Sequence, residues 1–163
     1  MRIVKNLFSF DYCDYLVNRI KKDIPQYQSD NTLTLDWTMW NIWQRRLNNG
    51  TINEEIKKSI EDNLKPHFNF EDYTILWLQM TQYHEGRCMV KHKDASNNET
   101  MILILSDGFI GGDTLVEDVK IDLNKGDGVF FSGYNRYHEV TKVIKGIRNA
   151  LILWYKPKKN KLI

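Results

Sequence analysis

Residues 126–155 read GDGVFFSGYNRYHEVTKVIKGIRNALILWY and alternate between short apolar runs and small, turn-forming residues. The runs are rich in Val, Ile, Phe and Tyr, which pack well on a pleated sheet, and Gly and Asp residues separate them as turn signals. Three runs follow one another in this stretch: Gly128–Phe131, His138–Val143 and Ile147–Tyr155. The pattern predicts consecutive β-strands joined by turns.

The same pattern of strands and turns extends upstream as far as Tyr73. The earlier runs are Tyr73–Tyr83, Thr100–Leu105 and Asp113–Val116. No helical pattern recurs between these runs, which disfavours a parallel α/β fold, because parallel strands need crossover connections that are usually helical. The sequence therefore indicates an antiparallel sandwich or jelly roll.

Two amphipathic helices are predicted ahead of the strands. Ser9 is a candidate N-cap of the first helix, whose apolar stripe at helical spacing ends at Pro25. The second helix runs from about Asn53 to Leu64 and ends before Pro66. The fold class that follows is mainly β with flanking helices, in which the N-terminal helices pack on one sheet.

The segment Gln28–Gly50, between the two helices, has no decisive pattern. Trp37, Trp40 and Trp43 recur every three residues, which fits a helix or a loop folded over a site. Large aromatic side chains pack in protein cores more often than they contact ligands. The sequence allows two interpretations of this segment, core packing and a lid over the substrate.

The chain has 163 residues, with 23 Lys+Arg, 21 Asp+Glu and 42% hydrophobic residues. A chain of this length forms one domain, here residues 1–163, and a net charge of +2 gives no sign of a nucleic-acid or membrane partner. Cys13 and Cys88 are too few for a disulfide-stapled secreted scaffold. The sequence has no signal-peptide core and no bilayer-spanning apolar run, so we expect a cytoplasmic protein. The sequence does not indicate its oligomeric state.

The chemistry-bearing residues begin with His92 and Asp94. On a strand, residues i and i+2 project from the same face, so both side chains can reach one ion. His138 follows 44 residues after Asp94, in a strand-like run. Two His and one carboxylate form the facial triad of non-haem Fe(II), and zinc sites of the same composition also exist. These three residues are candidate metal ligands.

Arg148 lies inside the apolar run Ile147–Tyr155. A guanidinium in such a strand is costly unless a carboxylate meets it, and its planar shape suits two parallel hydrogen bonds to one carboxylate. A structural ion pair is the ordinary explanation for such an Arg. If Arg148 lies beside a metal triad, the better explanation is that it binds the carboxylate of a ligand.

Taken together, these residues resemble those of the 2-oxoglutarate- and Fe(II)-dependent oxygenases, specifically the prolyl 4-hydroxylase-like branch. The resemblance runs from Val4 to Trp154 and depends on several spaced motifs in the family's order. The motifs are Tyr83-x-x-Gly86, His92-x-Asp94, Gly111-Gly112-Asp113-Thr114, Gly126-Asp127, Phe131-Ser132, His138-Glu139-Val140, and Gly146-x-Arg148 with Trp154. This order is far more specific than the His92-x-Asp94 pair alone.

The resemblance implies a double-stranded β-helix, which is a cupin-like jelly roll, with a metal at its open mouth. It implies that His92, Asp94 and His138 are catalytic ligands of Fe(II), with 2-oxoglutarate and O2 as co-substrates and ascorbate as a supporting reductant. It also implies an oxidoreductase that hydroxylates a substrate C–H bond and releases succinate and CO2.

Carried over by position, Arg148 would pair with the far carboxylate of 2-oxoglutarate. Tyr83 and Thr114 match residues that hydrogen-bond to the co-substrate or line its pocket, and Trp154 matches an aromatic pocket wall. A core position on the last strand is the alternative for Trp154. Met89 stands where many prolyl hydroxylases have a Tyr near the substrate.

The expected substrate is a prolyl residue in a peptide or protein, as in procollagen-proline 4-dioxygenases. Extended prolyl peptides dock well on aromatic-lined grooves, and Tyr134, Arg136 and Trp40 are the candidate contacts. Other amino-acid, small-molecule or nucleic-acid substrates are alternatives, although oxygenases that demethylate nucleic acid tend to have a second Arg where this chain has Trp154. A metal-binding cupin-like module without activity is a further alternative, and it would not need Arg148.

Overall fold

Antiparallel strands and two helices make up the described part of the chain. The computed structural model describes residues 1–28, 37–45, 53–95 and 98–158. The helices are α1 (Phe10–Asp23) and α2 (Glu54–Leu64). The strands are β1 (Arg2–Val4), β2 (Gln26–Gln28), β3 (Trp37–Gln44), β4 (Tyr73–Tyr83), β5 (Met89–His92), β6 (Glu99–Ile104), β7 (Ile110–Gly111), β8 (Thr114–Val116), β9 (Val119–Ile121), β10 (Gly128–Phe131), β11 (His138–Val140), β12 (Val143–Lys145) and β13 (Arg148–Pro157).

The strands form two main sheets. The major sheet has the order β1-β10-β6-β13-β4-β3-β2, and the minor sheet has the order β5-β11-β8-β9, while β7 and β12 pair separately. Every strand pair is antiparallel. One cavity is lined by residues of both main sheets, so the sheets enclose a barrel interior. The mainly β, jelly-roll fold class predicted from the sequence is confirmed.

The two helices pack on one face of the major sheet. Ser9 Oγ accepts a hydrogen bond from the Tyr12 N–H at 3.2 Å and caps α1, and Asn53 Oδ1 accepts one from the Ile56 N–H at 2.9 Å and caps α2. The buried side chains of both helices form one apolar cluster with those of the central strands. The helices therefore occupy the predicted place. Among the described residues, no helix is long and apolar enough to cross a membrane.

Alternation along the central strands separates this helix layer from the barrel interior. On β13, Leu151 and Leu153 belong to the helix-side cluster, whereas Ile152 and Trp154 line the cavity between the sheets. This division arises because successive side chains of a strand point to opposite faces. The major-sheet side of the cavity is thus built from every second residue of the strands that hold the helices, and β5 and β11 of the minor sheet supply the opposite side.

The segment that carries the tryptophans contains a strand, not a helix or a loop over the site. β3 pairs with β4, and its register shifts between Asn41 and Trp43. Because a β-bulge inserts one extra residue, Trp40 and Trp43 reach the same face despite their three-residue spacing. Trp40 is buried in the helix-side cluster and Trp43 packs against it, so these two tryptophans are core residues. Residues 29–36 and 46–50 of the predicted segment lie outside the described residues.

The tight turn just before β10 is held against the N-terminal segment by hydrogen bonds. The Asp127 carboxylate accepts hydrogen bonds from the backbone N–H groups of Asn6 and Asn124, both at 2.9 Å. Burial alone would raise the pKa of Asp127, but these hydrogen bonds outweigh it and lower the pKa. Gly126 has a φ of +86°, and a Cβ there would lie 2.3 Å from the carbonyl oxygen of Phe8. The Gly126-Asp127 motif therefore has a structural role.

Candidate metal centre and carboxylate pocket

Three potential metal ligands meet where β5 and β11 lie side by side. His92 ends β5, Asp94 follows two residues later, and His138 begins β11 opposite His92 in the strand register. Asp94 Oδ1 lies 3.8 Å from His92 Nε2 and 3.5 Å from His138 Nε2, and the three residues offer ligand atoms within 4.8 Å of one another. Two ligand atoms that each bind a metal at about 2.1 Å can lie up to about 4.2 Å apart. Both separations from Asp94 fit one ion.

Both imidazole rings are oriented by backbone carbonyl groups. His92 Nδ1 lies 2.8 Å from the carbonyl oxygen of Val90, and His138 Nδ1 lies 3.1 Å from that of Arg136. A ring that donates its Nδ1–H in this way presents the Nε2 lone pair, as metal-ligating His residues do. Burial lowers the pKa of His92 and so favours the neutral ring that a metal requires.

The carboxylate of Asp94 is held through its other oxygen. Thr100 Oγ1 donates a hydrogen bond to Asp94 Oδ2, and the Asp94 N–H donates to the carbonyl oxygen of Gly133 at 3.0 Å. Burial would raise the pKa of Asp94, but its contacts with His138 and Thr100 outweigh burial and lower the pKa. Asp94 is therefore an anion whose Oδ1 faces both histidines.

The three ligands line a cavity of about 80 Å³ between the two sheets. A buried water needs roughly 10–15 Å³ of such space, so the cavity has room for a small molecule of several heavy atoms. Its remaining wall is largely apolar or aromatic and includes Tyr83, Met89, Ile102, Ile152 and Trp154. Arg148 lines the same cavity.

Arg148 is the largest of the fully buried side chains in the described chain. Its Nη2 donates a hydrogen bond to Thr114 Oγ1 at 2.9 Å, while its Nε and Nη1 are buried without a hydrogen-bond partner among the described residues. Burial lowers the pKa of Arg148, yet a guanidinium keeps its charge in proteins. A ligand carboxylate would satisfy both the buried charge and the two orphaned donors.

Tyr83 and Thr114, the residues expected to contact or line a co-substrate pocket, both lie beside Arg148. The Arg148 guanidinium carbon lies 5.4 Å from the centre of the Tyr83 ring, and the two residues are opposite each other in the strand register. Burial raises the pKa of Tyr83 to about 12, so its hydroxyl keeps its proton at neutral pH. Arg148 and Tyr83 line the cavity itself, and Thr114 holds Arg148 through its hydroxyl.

Gly112 has no side chain, and the Arg148 side chain occupies the adjacent space. Its φ is +63°, and a Cβ there would lie 3.0 Å from Arg148 Cδ and 3.0 Å from Val143 Cγ2. Both the backbone conformation and the packing therefore favour glycine at this position.

Solved structures share this architecture. No protein-family model matches the sequence, and no curated protein matches it. A 2OG-Fe(II) oxygenase family oxidoreductase from Burkholderia pseudomallei superimposes with a TM-score of 0.69, over 86% of this chain and 76% of its own, at 19% identity. The 2OG complex of a viral collagen prolyl hydroxylase from Paramecium bursaria Chlorella virus-1 superimposes with a TM-score of 0.63, over 94% of each chain, at 17% identity.

A third solved structure shows a prolyl hydroxylase in complex with a hypoxia inducible factor oxygen degradation domain peptide fragment from Trichoplax adhaerens. It superimposes with a TM-score of 0.65, over 94% of this chain and 82% of its own, at 18% identity. The chain has the fold of the 2OG-Fe(II) oxygenases.

In this oxygenase fold, the residues expected to contact a substrate lie in two different places. Tyr134, 44% exposed, and Arg136, also exposed, lie in the turn between β10 and β11, just before His138. Trp40 is 3% exposed and lies on the helix side of the major sheet. The expected substrate contact of Trp40 is therefore corrected, because β3 turns this side chain away from the cavity.

Trp154 lies in the cavity wall of the oxygenase fold, and its ring centre is 5.5 Å from that of Trp77. Thr100 and Gly133 also belong to the centre, through Asp94, and were not predicted. The alternation Thr100-Met101-Ile102 within the predicted strand is a signal that places Thr100 on the same face as Ile102. Gly133 lies in a predicted turn, where a glycine attracts no special attention.

A larger cavity, of about 520 Å³, lies beyond Thr114 in the same oxygenase fold. Residues 106–114 and 120–125 supply most of its lining, and none of the three ligating residues contributes to it. The metal centre and Arg148 thus share the smaller cavity.

Proposed function

We propose that this protein is an Fe(II)- and 2-oxoglutarate-dependent dioxygenase. The observation that carries the proposal is one cavity lined by both the His-Asp-His cluster and the fully buried Arg148 with its two orphaned donors. A metal site alone would fit many proteins. A buried cation in the same cavity as a three-ligand metal site fits a ligand that chelates the metal at one end and carries a carboxylate at the other. 2-Oxoglutarate has this chemistry.

The donor set fits Fe(II). Two imidazoles and one carboxylate are the ligands of non-haem Fe(II) oxygenases and leave three positions open on an octahedral ion. Zinc centres with three such ligands serve hydrolysis through a bound water, and that role does not call for Arg148. Fe(II), 2-oxoglutarate and O2 together supply the oxidising chemistry that hydroxylates a substrate C–H bond and yields succinate and CO2.

The protein's own residues bind, orient and shield these groups. Arg148 would bind the far carboxylate, with its Nη2 fixed by Thr114 Oγ1. Tyr83, opposite Arg148 in the strand register, would line the pocket beside the same carboxylate. Ile102 and Ile152 line the cavity and exclude water, which strengthens the charge pairing inside it.

Gly112→Ala should weaken 2-oxoglutarate binding by about tenfold, because the new methyl group displaces Arg148 and small misplacements of a binding group are costly. Isothermal titration of the anaerobic Fe(II) protein measures this affinity. Gly108→Ala is the matched control: Gly108 has a φ of +72°, but no atom of the described residues lies within 4 Å of the position that a methyl group would take there. Both variants carry similar backbone strain, so an equal loss of affinity in both would contradict the role of the Gly112–Arg148 contact.

We further propose a peptide or protein substrate, with a prolyl residue as the hydroxylated group. The exposed Tyr134 and Arg136 lie next to His138 and are free to meet an extended chain at the mouth of the cavity. The likeness to prolyl hydroxylases, one of them in complex with a peptide fragment, supports the same class of substrate.

The test loads the protein anaerobically with Fe(II) and 2-oxoglutarate, then adds O2 and proline-rich peptides. We expect peptides that gain one oxygen atom by mass, with matching succinate. Arg136→Ala should lower peptide-dependent turnover about two- to fivefold, the worth of an exposed contact, and spare slow peptide-independent succinate formation. Lys22→Ala, which removes an exposed positive charge from α1, is the control.

Two outcomes would contradict these proposals. Absence of succinate under all conditions would contradict the dioxygenase. Succinate formation stimulated by methylated single-stranded DNA, but not by proline-rich peptides, would overturn the prolyl substrate and leave the dioxygenase standing.

A further inference from the structure

Carboxylates bind metals through one oxygen or through both, and the difference matters at this centre. With two His residues and one carboxylate oxygen, an octahedral ion keeps three positions open. A co-substrate that chelates through two atoms takes two of these positions, and O2 needs the third. If both oxygens of Asp94 bound the ion, one of the three positions would be lost.

We propose that Thr100 is a positioning residue that holds Asp94 as a one-oxygen metal ligand. The inference rests on the proposed function, because it requires that His92, Asp94 and His138 bind a metal. Asp94 Oδ1 faces both histidines, at 3.8 and 3.5 Å, while Oδ2 accepts the hydrogen bond from Thr100 Oγ1. The two oxygens of this carboxylate therefore have separate tasks.

The position of Thr100 makes this hydrogen bond a link between the two sheets. Thr100 is 1% exposed on β6 of the major sheet, whereas Asp94 follows β5 of the minor sheet. The hydroxyl is fixed by a strand that pairs with β10 and β13 on its two sides. A donor on such a rigid strand can hold a carboxylate oxygen in one place.

Gly133 shows how tightly this hydrogen bond is enclosed. A Cβ on Gly133 would lie 2.1 Å from Asp94 Oδ2 and 2.2 Å from Thr100 Oγ1. The φ of Gly133 lies outside the left-handed region, so space and not backbone conformation requires glycine here. The turn at Gly133 thus closes over the Oδ2–Thr100 pair, which leaves Oδ1 as the oxygen that an ion can approach.

The test counts the waters on bound Mn(II), which replaces Fe(II) without redox chemistry. Titration of the wild-type protein with Mn(II), followed by water-proton relaxation, should report three bound waters. Thr100→Val keeps the shape of the side chain but lacks the hydroxyl, and should report two bound waters and an at least fivefold weaker binding of 2-oxoglutarate to the Mn(II) protein. Thr100→Ser restores the hydroxyl and should restore both values.

Gly133→Ala provides a second, independent variant if Thr100→Val does not fold. Its methyl group should push Asp94 from its place and lower the Mn(II) affinity at least tenfold, in a protein whose far-UV circular dichroism is unchanged. Three bound waters and wild-type 2-oxoglutarate affinity in Thr100→Val, or wild-type Mn(II) affinity in Gly133→Ala, would overturn the inference. A wild-type protein that binds no Mn(II) or Fe(II) would instead contradict the proposed function.

Discussion

His138→Ala should abolish stoichiometric Fe(II) binding and, with it, all turnover of 2-oxoglutarate. The substitution removes one of the three ligands that the fold brings together, and changing only a residue that supports a ligand already costs roughly 10–100-fold in metal affinity. We therefore expect at least about 100-fold weaker binding. Anaerobic titration with Fe(II) measures the affinity directly.

The fold should survive this substitution. His138 lines the cavity, where its ring centre is 4.3 Å from that of His92 and 5.0 Å from that of Phe131, so its side chain packs beside a space and not within the helix-side core. His84→Ala is the matched control, since His84 is exposed just after β4 and away from the ligand group. Unchanged iron binding by His138→Ala, or an equal loss in both variants, would show that His138 is not a specific ligand.

Arg148→Met should have two opposite effects. Replacing a buried, poorly paired charge with an apolar side chain of similar length is often neutral or stabilises a protein by about 1–4 kcal/mol, so the ligand-free protein should unfold at the same or a higher temperature. Binding of 2-oxoglutarate should weaken by about 2–5 kcal/mol, the cost of a buried charge without its partner, which is roughly 30-fold to several thousandfold. Thermal unfolding with and without 2-oxoglutarate measures both effects.

Arg148→Lys separates charge from geometry. It keeps a positive charge but lacks the planar, multi-donor head, so its 2-oxoglutarate affinity should fall between those of the wild type and Arg148→Met. Fe(II) affinity in the absence of 2-oxoglutarate should be the same in all three proteins. A wild-type increase in unfolding temperature on adding 2-oxoglutarate to Arg148→Met would exclude Arg148 as the carboxylate anchor.

Local signals were sufficient to predict the helices and the long strands. Ser9 caps α1 as predicted, and α2 begins after Asn53, close to the predicted start, because an N-cap depends on residues two or three positions away. β4 and β10 also have the predicted bounds, since their apolar runs end at turn-forming residues. These elements depend little on the rest of the chain.

The short strands and β3 could not be predicted in this way. β1, β7 and β9 have two or three residues each, too few to show a period, and they exist through their pairing with other strands. The bulge in β3 gives Trp40 and Trp43 a spacing that is typical of a helix. Its position follows from the pairing with β4, which a local pattern does not show.

Some residues of the candidate site could likewise be predicted from the sequence, and others could not. His92, Asp94, His138 and Arg148 were predicted because their chemistry is unusual in apolar or strand-like surroundings. Thr100 and Gly133 are ordinary residues whose importance depends on their distance from Asp94 in three dimensions.

The helix layer and the cavity depend on opposite faces of the same strands. On β13, substitutions at Leu151 and Leu153 would tune the resistance of the protein to heat, and substitutions at Ile152 and Trp154 would alter which molecules it accepts. Insertion or deletion of one residue in this strand would exchange the two sets, because the side-chain period is two.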